Sequence, residues 1–188
     1  MQEQEKGFSF NMKYFDEIKR SMDWLGQQSD TFFLGQAVTY PGTAMTNTLK
    51  GVPSDKLWEM PVCEDMQLGM SIGMALDGKT VPISLFPRWN FFLLAVNQLV
   101  NHLDKIPLMA DNPYKPKVII RVGIGSERPL HPQHQHVGDY TDVIRKICPN
   151  INVVRLDEPE WIFDIYKEAY FDTKSHIIVE WGDYYNEK

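Results

Sequence analysis

Three histidines fall close together, His131, His134 and His136, in a stretch from 124 to 138 that is dense in Gly, Pro and His. Burial of all three in a core is not expected of such a loop. Imidazole is the side chain best placed to exchange protons near neutral pH. His at i and i+2 can also share a metal, but no neighbouring Cys or well-placed acid completes a ligand set. No metal site is therefore expected in this chain. Upstream, Glu64 stands where a short apolar segment gives way to a run of helical character. A carboxylate at such a junction is held by rigid elements. It is also the acid that the first turn of any helix favours through its macrodipole. A third group is Phe86, Arg88, Trp89 and Phe91. Rings of this kind stack on a planar ligand or fill a core. Arg88 suits a substrate carboxylate or phosphate, or a solvated surface.

The elements that must hold these groups follow from hydrophobic spacing. Met12, Phe15, Ile18, Met22 and Leu25 recur at three and four residues, which predicts a helix with one apolar stripe. Asn11 is its expected cap. Thereafter strands and helices alternate. Strands are expected over 31–38, 57–63, 79–86, 117–123, 152–156 and 176–181. Helices are expected over 65–76, 90–105, 139–147 and 158–170. Short, nearly continuous apolar strands alternating with helices imply a three-layer α/β/α fold with a mostly parallel sheet. Ligands bind outside the carboxyl ends of the strands in such a sheet. Glu64, the 86–91 segment and the histidine loop all follow predicted strands. The expected organisation is an N-terminal helical segment, 1–30, packed on an α/β domain, 31–188.

Composition narrows the partners. The chain has 188 residues, a net charge of −6 and 43% apolar side chains. An acidic balance speaks against nucleic acid or an anionic membrane as the main partner. No run approaches the roughly 18 apolar residues that span a bilayer. Cys63 and Cys148 lack metal-type spacing and read as reduced thiols of a cytoplasmic protein.

Several segments, taken in order, carry a resemblance. They are MPVCEDMQLGMSIGMALDGKTVP (60–82), RWNFFLLAVNQLVN (88–101), VIIRVGIG (118–125), Gln133-His134, CPNINVV (148–154) and HIIVE (176–180). Together they resemble the pyrimidine-binding domain of thiamine-diphosphate-dependent enzymes, of the transketolase and pyruvate dehydrogenase β-subunit type. The pair Gly123-Ile124-Gly125 and Pro129-Leu130-His131 is also similar to a loop of transketolases. The resemblance implies that Glu64 is the carboxylate that bonds the aminopyrimidine ring nitrogen of thiamine diphosphate. It implies that Phe91 stacks on that ring, with Trp89 and Phe86 shaping the pocket, and that a loop histidine handles substrate protons. The β-subunit pattern points to His134, the transketolase pattern to His131 or His136. Arg88 departs from the β-subunit pattern and is a candidate for the substrate.

The same family holds the cofactor's diphosphate through Mg2+ or a similar divalent metal, with a Gly-Asp-Gly motif followed by Asn-Asn. Gly182-Asp183-Tyr184 and Gly138-Asp139-Tyr140 lack that continuation. The resemblance thus implies a second subunit that carries the diphosphate domain and its metal, in an α2β2 heterotetramer. The expected function is that of a β-type subunit acting on C–C bonds beside a carbonyl, with a 2-oxo acid donor. Ketol transfer on sugar phosphates and a non-catalytic subunit of the same fold are the alternatives.

Overall fold

In the computed structural model the described residues are 13–41, 43–109, 115–125, 127 and 131–185. Six strands form a single sheet: β1 (Thr31–Gly35), β2 (Leu57–Glu59), β3 (Val81–Phe86), β4 (Ile119–Ile124), β5 (Asn152–Arg155) and β6 (His176–Trp181). Their order is β2-β1-β3-β4-β6-β5, and every pairing is parallel. The helices are α1 (Tyr14–Gln27), α2 (Ala44–Asn47), α3 (Glu64–Ala75), α4 (Trp89–Phe92), α5 (Thr141–Ile147) and α6 (Pro159–Phe171).

Two cores sandwich the sheet, because alternate strand residues point to opposite faces. Phe33, Ile83, Leu85, Ile119 and Ile178 meet α1 and α6 on one face. Phe86, Ile120, Val122, Ile177 and Val179 meet α3, α5 and the segment after β3 on the other. Both faces being covered, the central strands β3 and β4 are buried throughout. Helix α1 buries Ile18, Met22 and Leu25 as their spacing predicts. The proposed cap Asn11 and the stripe residue Met12 lie outside the described residues.

Three elements depart from the expectation. The first strand stops at Gly35, three residues early, because Ala37 takes a left-handed φ of 57°. A Cβ on Gly35 would lie 2.4 Å from the Leu85 carbonyl oxygen, so the close approach of β1 to β3 requires glycine there. The second strand is only Leu57–Glu59. The helix expected over 90–105 is a right-handed run whose hydrogen-bond register changes, from α-helix Trp89–Phe92 through a 3₁₀ turn Leu93–Ala95 to a π-helical stretch Gln98–Leu103.

From β1 the chain moves out to the edge strand β2. It then crosses back beneath the sheet through α3 to β3, on the other side of β1. The carboxyl ends of β1 and β3 therefore send their loops in opposite directions, which opens a crevice between them. The segments after β1, β2, β3 and β4 all end on this rim.

Candidate functional site

Glu64 is the first residue of α3 and is 3% exposed. Its position follows from local sequence: β2 ends at Glu59, and Pro61 and the exposed Cys63 carry the chain to the helix start. Glu64 Oε1 accepts a hydrogen bond from Gln36 Nε2 at 3.0 Å. That is the carboxylate's one hydrogen bond among the described residues, and no cation there pairs with it. The helix N-terminus compensates part of the buried charge. A buried carboxylate normally takes several donors or a cation, so this one retains an oxygen able to accept from a ligand.

Below Glu64, the same helix face is polar where a core helix is usually apolar. Gln67, fully buried, donates from Nε2 to Ser84 Oγ at 3.0 Å and to the Leu85 carbonyl at 2.9 Å. Ser71 Oγ returns a bond to the Gln67 carbonyl at 2.9 Å. The two Gln67 bonds pin α3 to β3 and thereby help fix the start of the helix, where Glu64 stands.

Across the rim, Phe91 is half-buried and its ring lies 5.1 Å from the imidazole of His136, tilted by 50°. His136 Nδ1 is buried without a hydrogen-bond partner among the described residues. The other two loop histidines face outward. His134 is exposed. His131 is exposed too, accepting from the Gln133 N–H at 3.0 Å through Nδ1, with Nε2 3.4 Å from Glu127. The structure thus brings His136, and neither His134 nor His131, against Phe91.

Trp89 and Phe86 are wholly buried, each edge-on to Phe92 with centroids 5.3 and 4.7 Å apart. Trp89 Nε1 also donates to Thr141 Oγ1 at 3.3 Å. Neither ring offers surface to a ligand in this chain; both pack into the core around Phe92. Arg88 donates through Nη1 to the carbonyls of Gly125, at 3.0 Å, and His136, at 2.9 Å. One side chain therefore ties down both ends of the histidine loop. Burial lowers the Arg88 pKa, and the nearby Asp183 partly offsets that. The contacts seen for Arg88 Nη1 are those of a clamp on the loop.

Gln36, Gln67 and Glu59 were missed in the sequence. Gln67 had a signal, standing three residues after Glu64 on one helix face. Gln36 and Glu59 had none, since only the sheet topology brings the end of β1 beside β2 and α3. Among the described residues no cluster of three His, Cys, Asp or Glu is arranged to hold a metal. No helix there is long and apolar enough to cross a membrane.

A buried acid at the start of α3 and an aromatic ring against His136 can be set beside known proteins. No family model matches the sequence. The β subunit of the pyruvate dehydrogenase E1 component from Gracilaria tenuistipitata var. liui is 27% identical over 179 residues, 93% of this chain and 54% of that subunit. This chain is similar to those β subunits along most of its own length. The chain spans about half the length of curated β subunits it matches. The β subunit of 2-oxoisovalerate dehydrogenase from Bacillus subtilis (strain 168) is 26% identical over 118 residues, 61% of this chain and 36% of that one. Among solved structures, a split-gene transketolase in an inactive β4 tetramer superposes with a TM-score of 0.64. It covers 89% of this chain and 50% of that chain at 16% identity. At that identity the likeness concerns the fold, a parallel-sheet α/β domain of the transketolase-like type.

Proposed function

We propose that this chain is the pyrimidine-binding, β-type subunit of a two-chain, thiamine-diphosphate-dependent enzyme of the cytoplasm that acts on a 2-oxo acid. The observation that carries the reading is Glu64: a carboxylate buried at a crevice, bonded to one neutral amide, with its other oxygen not bonded. That oxygen is suited to accept from a ring nitrogen that must carry a proton. When bound, the cofactor supplies the carbanion chemistry at a carbon beside a carbonyl. Glu64 would bond its aminopyrimidine ring, and Phe91 would lie against the same ring. His136, with a buried nitrogen beside Phe91, would hold or pass a proton at the substrate, in place of His134. Arg88 would keep that histidine's backbone in place. The diphosphate and its divalent metal would be held by a second chain, the two chains pairing as α2β2.

The similarity to β subunits of pyruvate and 2-oxoisovalerate dehydrogenases supports a 2-oxo acid donor over a sugar phosphate. The test is to assemble the chain with its partner subunit and assay 2-oxo acids and ketose phosphates side by side. Turnover of 2-oxo acids is expected, falling roughly 10²- to 10⁴-fold in Glu64→Gln. Turnover of ketose phosphates alone would overturn the donor. Unchanged turnover in Glu64→Gln would overturn the role of Glu64 and favour a non-catalytic subunit.

A further inference from the structure

The segment that follows β1 is held by a second carboxylate, and that hold decides where Gln36 points. Glu59 ends β2. Its Oε1 accepts from the Ala37 N–H at 2.7 Å, and its Oε2 from the N–H groups of Val38 and Thr39 at 2.8 and 2.7 Å. The Thr39 hydroxyl adds a bond at 3.2 Å. Three successive N–H groups converging on one anion form a cradle, here filled by the protein's own side chain. Ala37 takes a left-handed φ of 57° where it enters the cradle, a conformation that residues with a Cβ rarely adopt. From the other side, the Thr46 hydroxyl donates to the Ala37 carbonyl. Burial alone would raise the Glu59 pKa, but the N–H donors of Thr39, Ala37 and Val38 outweigh it and hold the carboxyl below its usual range.

Gln36 is the residue just before this cradle, and Glu64 lies five residues after Glu59 on the β2–α3 link. The two links form a closed ring: the β1 loop grips Glu59 through its backbone and Glu64 through the Gln36 side chain. The two carboxylates differ in how fully they are used. Glu59 takes four donors; Glu64 takes one. A neutral amide is suited to that single bond. It steadies the carboxylate without the compensating charge that a Lys or Arg would bring.

We propose that Gln36 is a positioning residue that aims the Glu64 carboxylate, and that Glu59 holds Gln36 in place from outside the crevice. The consequence for turnover rests on the reading of Glu64 given above; the mechanical coupling does not. The test uses Glu59→Gln and Gln36→Leu in the assembled enzyme, with Glu64→Gln as the reference. In Glu59→Gln, amide hydrogen exchange at residues 37–39 is expected to speed up at least tenfold. In Gln36→Leu it is expected to stay as in the wild type. Both variants should lose ten- to a hundredfold in kcat with substrate KM within twofold of wild type. A Gln36→Glu variant places two carboxylates in contact, and should move the kcat–pH profile upward because one of the pair holds its proton. Unchanged exchange at 37–39 in Glu59→Gln would overturn the cradle. Wild-type kcat in Gln36→Leu, alongside an inactive Glu64→Gln, would overturn the positioning role. If Glu64→Gln itself keeps full turnover, the proposed function fails, and the exchange result still decides whether Glu59 holds the loop.

Discussion

Glu64 and Glu180 are the two most deeply buried glutamates among the described residues, and they are treated in opposite ways. Glu180, on β6, is fully buried, with Arg121 of β4 forked against it: Nε to Oε1 at 2.7 Å and Nη2 to Oε2 at 2.9 Å. The hydroxyls of Tyr166 and Tyr185 donate to the same carboxylate. Thr48 Oγ1 accepts from Arg121 Nη2 at 3.2 Å. Glu64 is nearly as deep and has Gln36 alone. A buried anion kept for structure is surrounded by a cation and donors until its oxygens are spent. An anion whose second oxygen goes unbonded is one that a ligand can complete. The contrast separates a staple, a carboxylate whose oxygens are filled, from one that keeps an oxygen for another donor.

The largest effect that tests this contrast is at the staple. Arg121→Met leaves the Glu180 carboxylate in an apolar interior with only phenolic donors, and should cost about 3–5 kcal/mol of stability. For a chain of this size that is a fall in Tm of roughly 10 °C, measurable by calorimetry. Removing both charges, Arg121→Met with Glu180→Leu, should recover part of the loss. Recovery is incomplete because the Tyr166 and Tyr185 hydroxyls are left without an acceptor. Adding Tyr166→Phe and Tyr185→Phe should complete it. A single Arg121→Met protein as stable as wild type would break the comparison from the structural side.

The tyrosines give the next test. Burial first, and then the Glu180 charge, push both phenols well above their ordinary range. The unfolded chain loses these protons near pH 10 while the folded chain keeps them. Stability from these groups is therefore complete below pH 10 and declines as pH rises above it. Two such groups steepen the decline by up to about 2–3 kcal/mol per pH unit. Urea midpoints measured from pH 9 to 11.5 should fall more steeply in the wild type than in the Tyr166→Phe/Tyr185→Phe protein. Parallel curves would show that the hydroxyls do not share the Glu180 charge.

How legible each carboxylate was in the sequence follows the same divide. Glu64 stood out through the resemblance of the segment around it, since locally an acid at a helix start is ordinary. The β6 strand was equally plain, since 176–181 is a short apolar run closed by its neighbours. Glu180 and Arg121 sat inside apolar strands as isolated charges, and nothing local says that β4 and β6 are neighbours. The same limit hid Gln36, 28 residues from Glu64 in the chain. Spacing could bring the three histidines to one loop but could not show which of them packs against Phe91, because that contact joins segments 45 residues apart. The strand expected to reach Val38 ends at Gly35 because Glu59 draws the next N–H groups into its cradle. That event is a contact between strands, invisible to a pattern read along one of them.

The smallest effect is the one that most sharpens the comparison. Glu64→Gln removes a buried charge that has no cation, and keeps the shape of the side chain. The amide oxygen can still accept from Gln36, so one hydrogen bond survives while the cost of desolvating an anion disappears. The favourable interaction with the α3 N-terminus is lost, about 0.3–1 kcal/mol. The two changes oppose each other, and the net change in stability should stay within about 1 kcal/mol. Glu180→Gln is the same substitution at the staple, and there it deprives Arg121 of its partner, so it should cost about 3–5 kcal/mol. Chemical denaturation of the two variants side by side decides between the roles. Equal losses would mean that Glu64 is a second staple, and the argument that its unbonded oxygen awaits a ligand would fall with it.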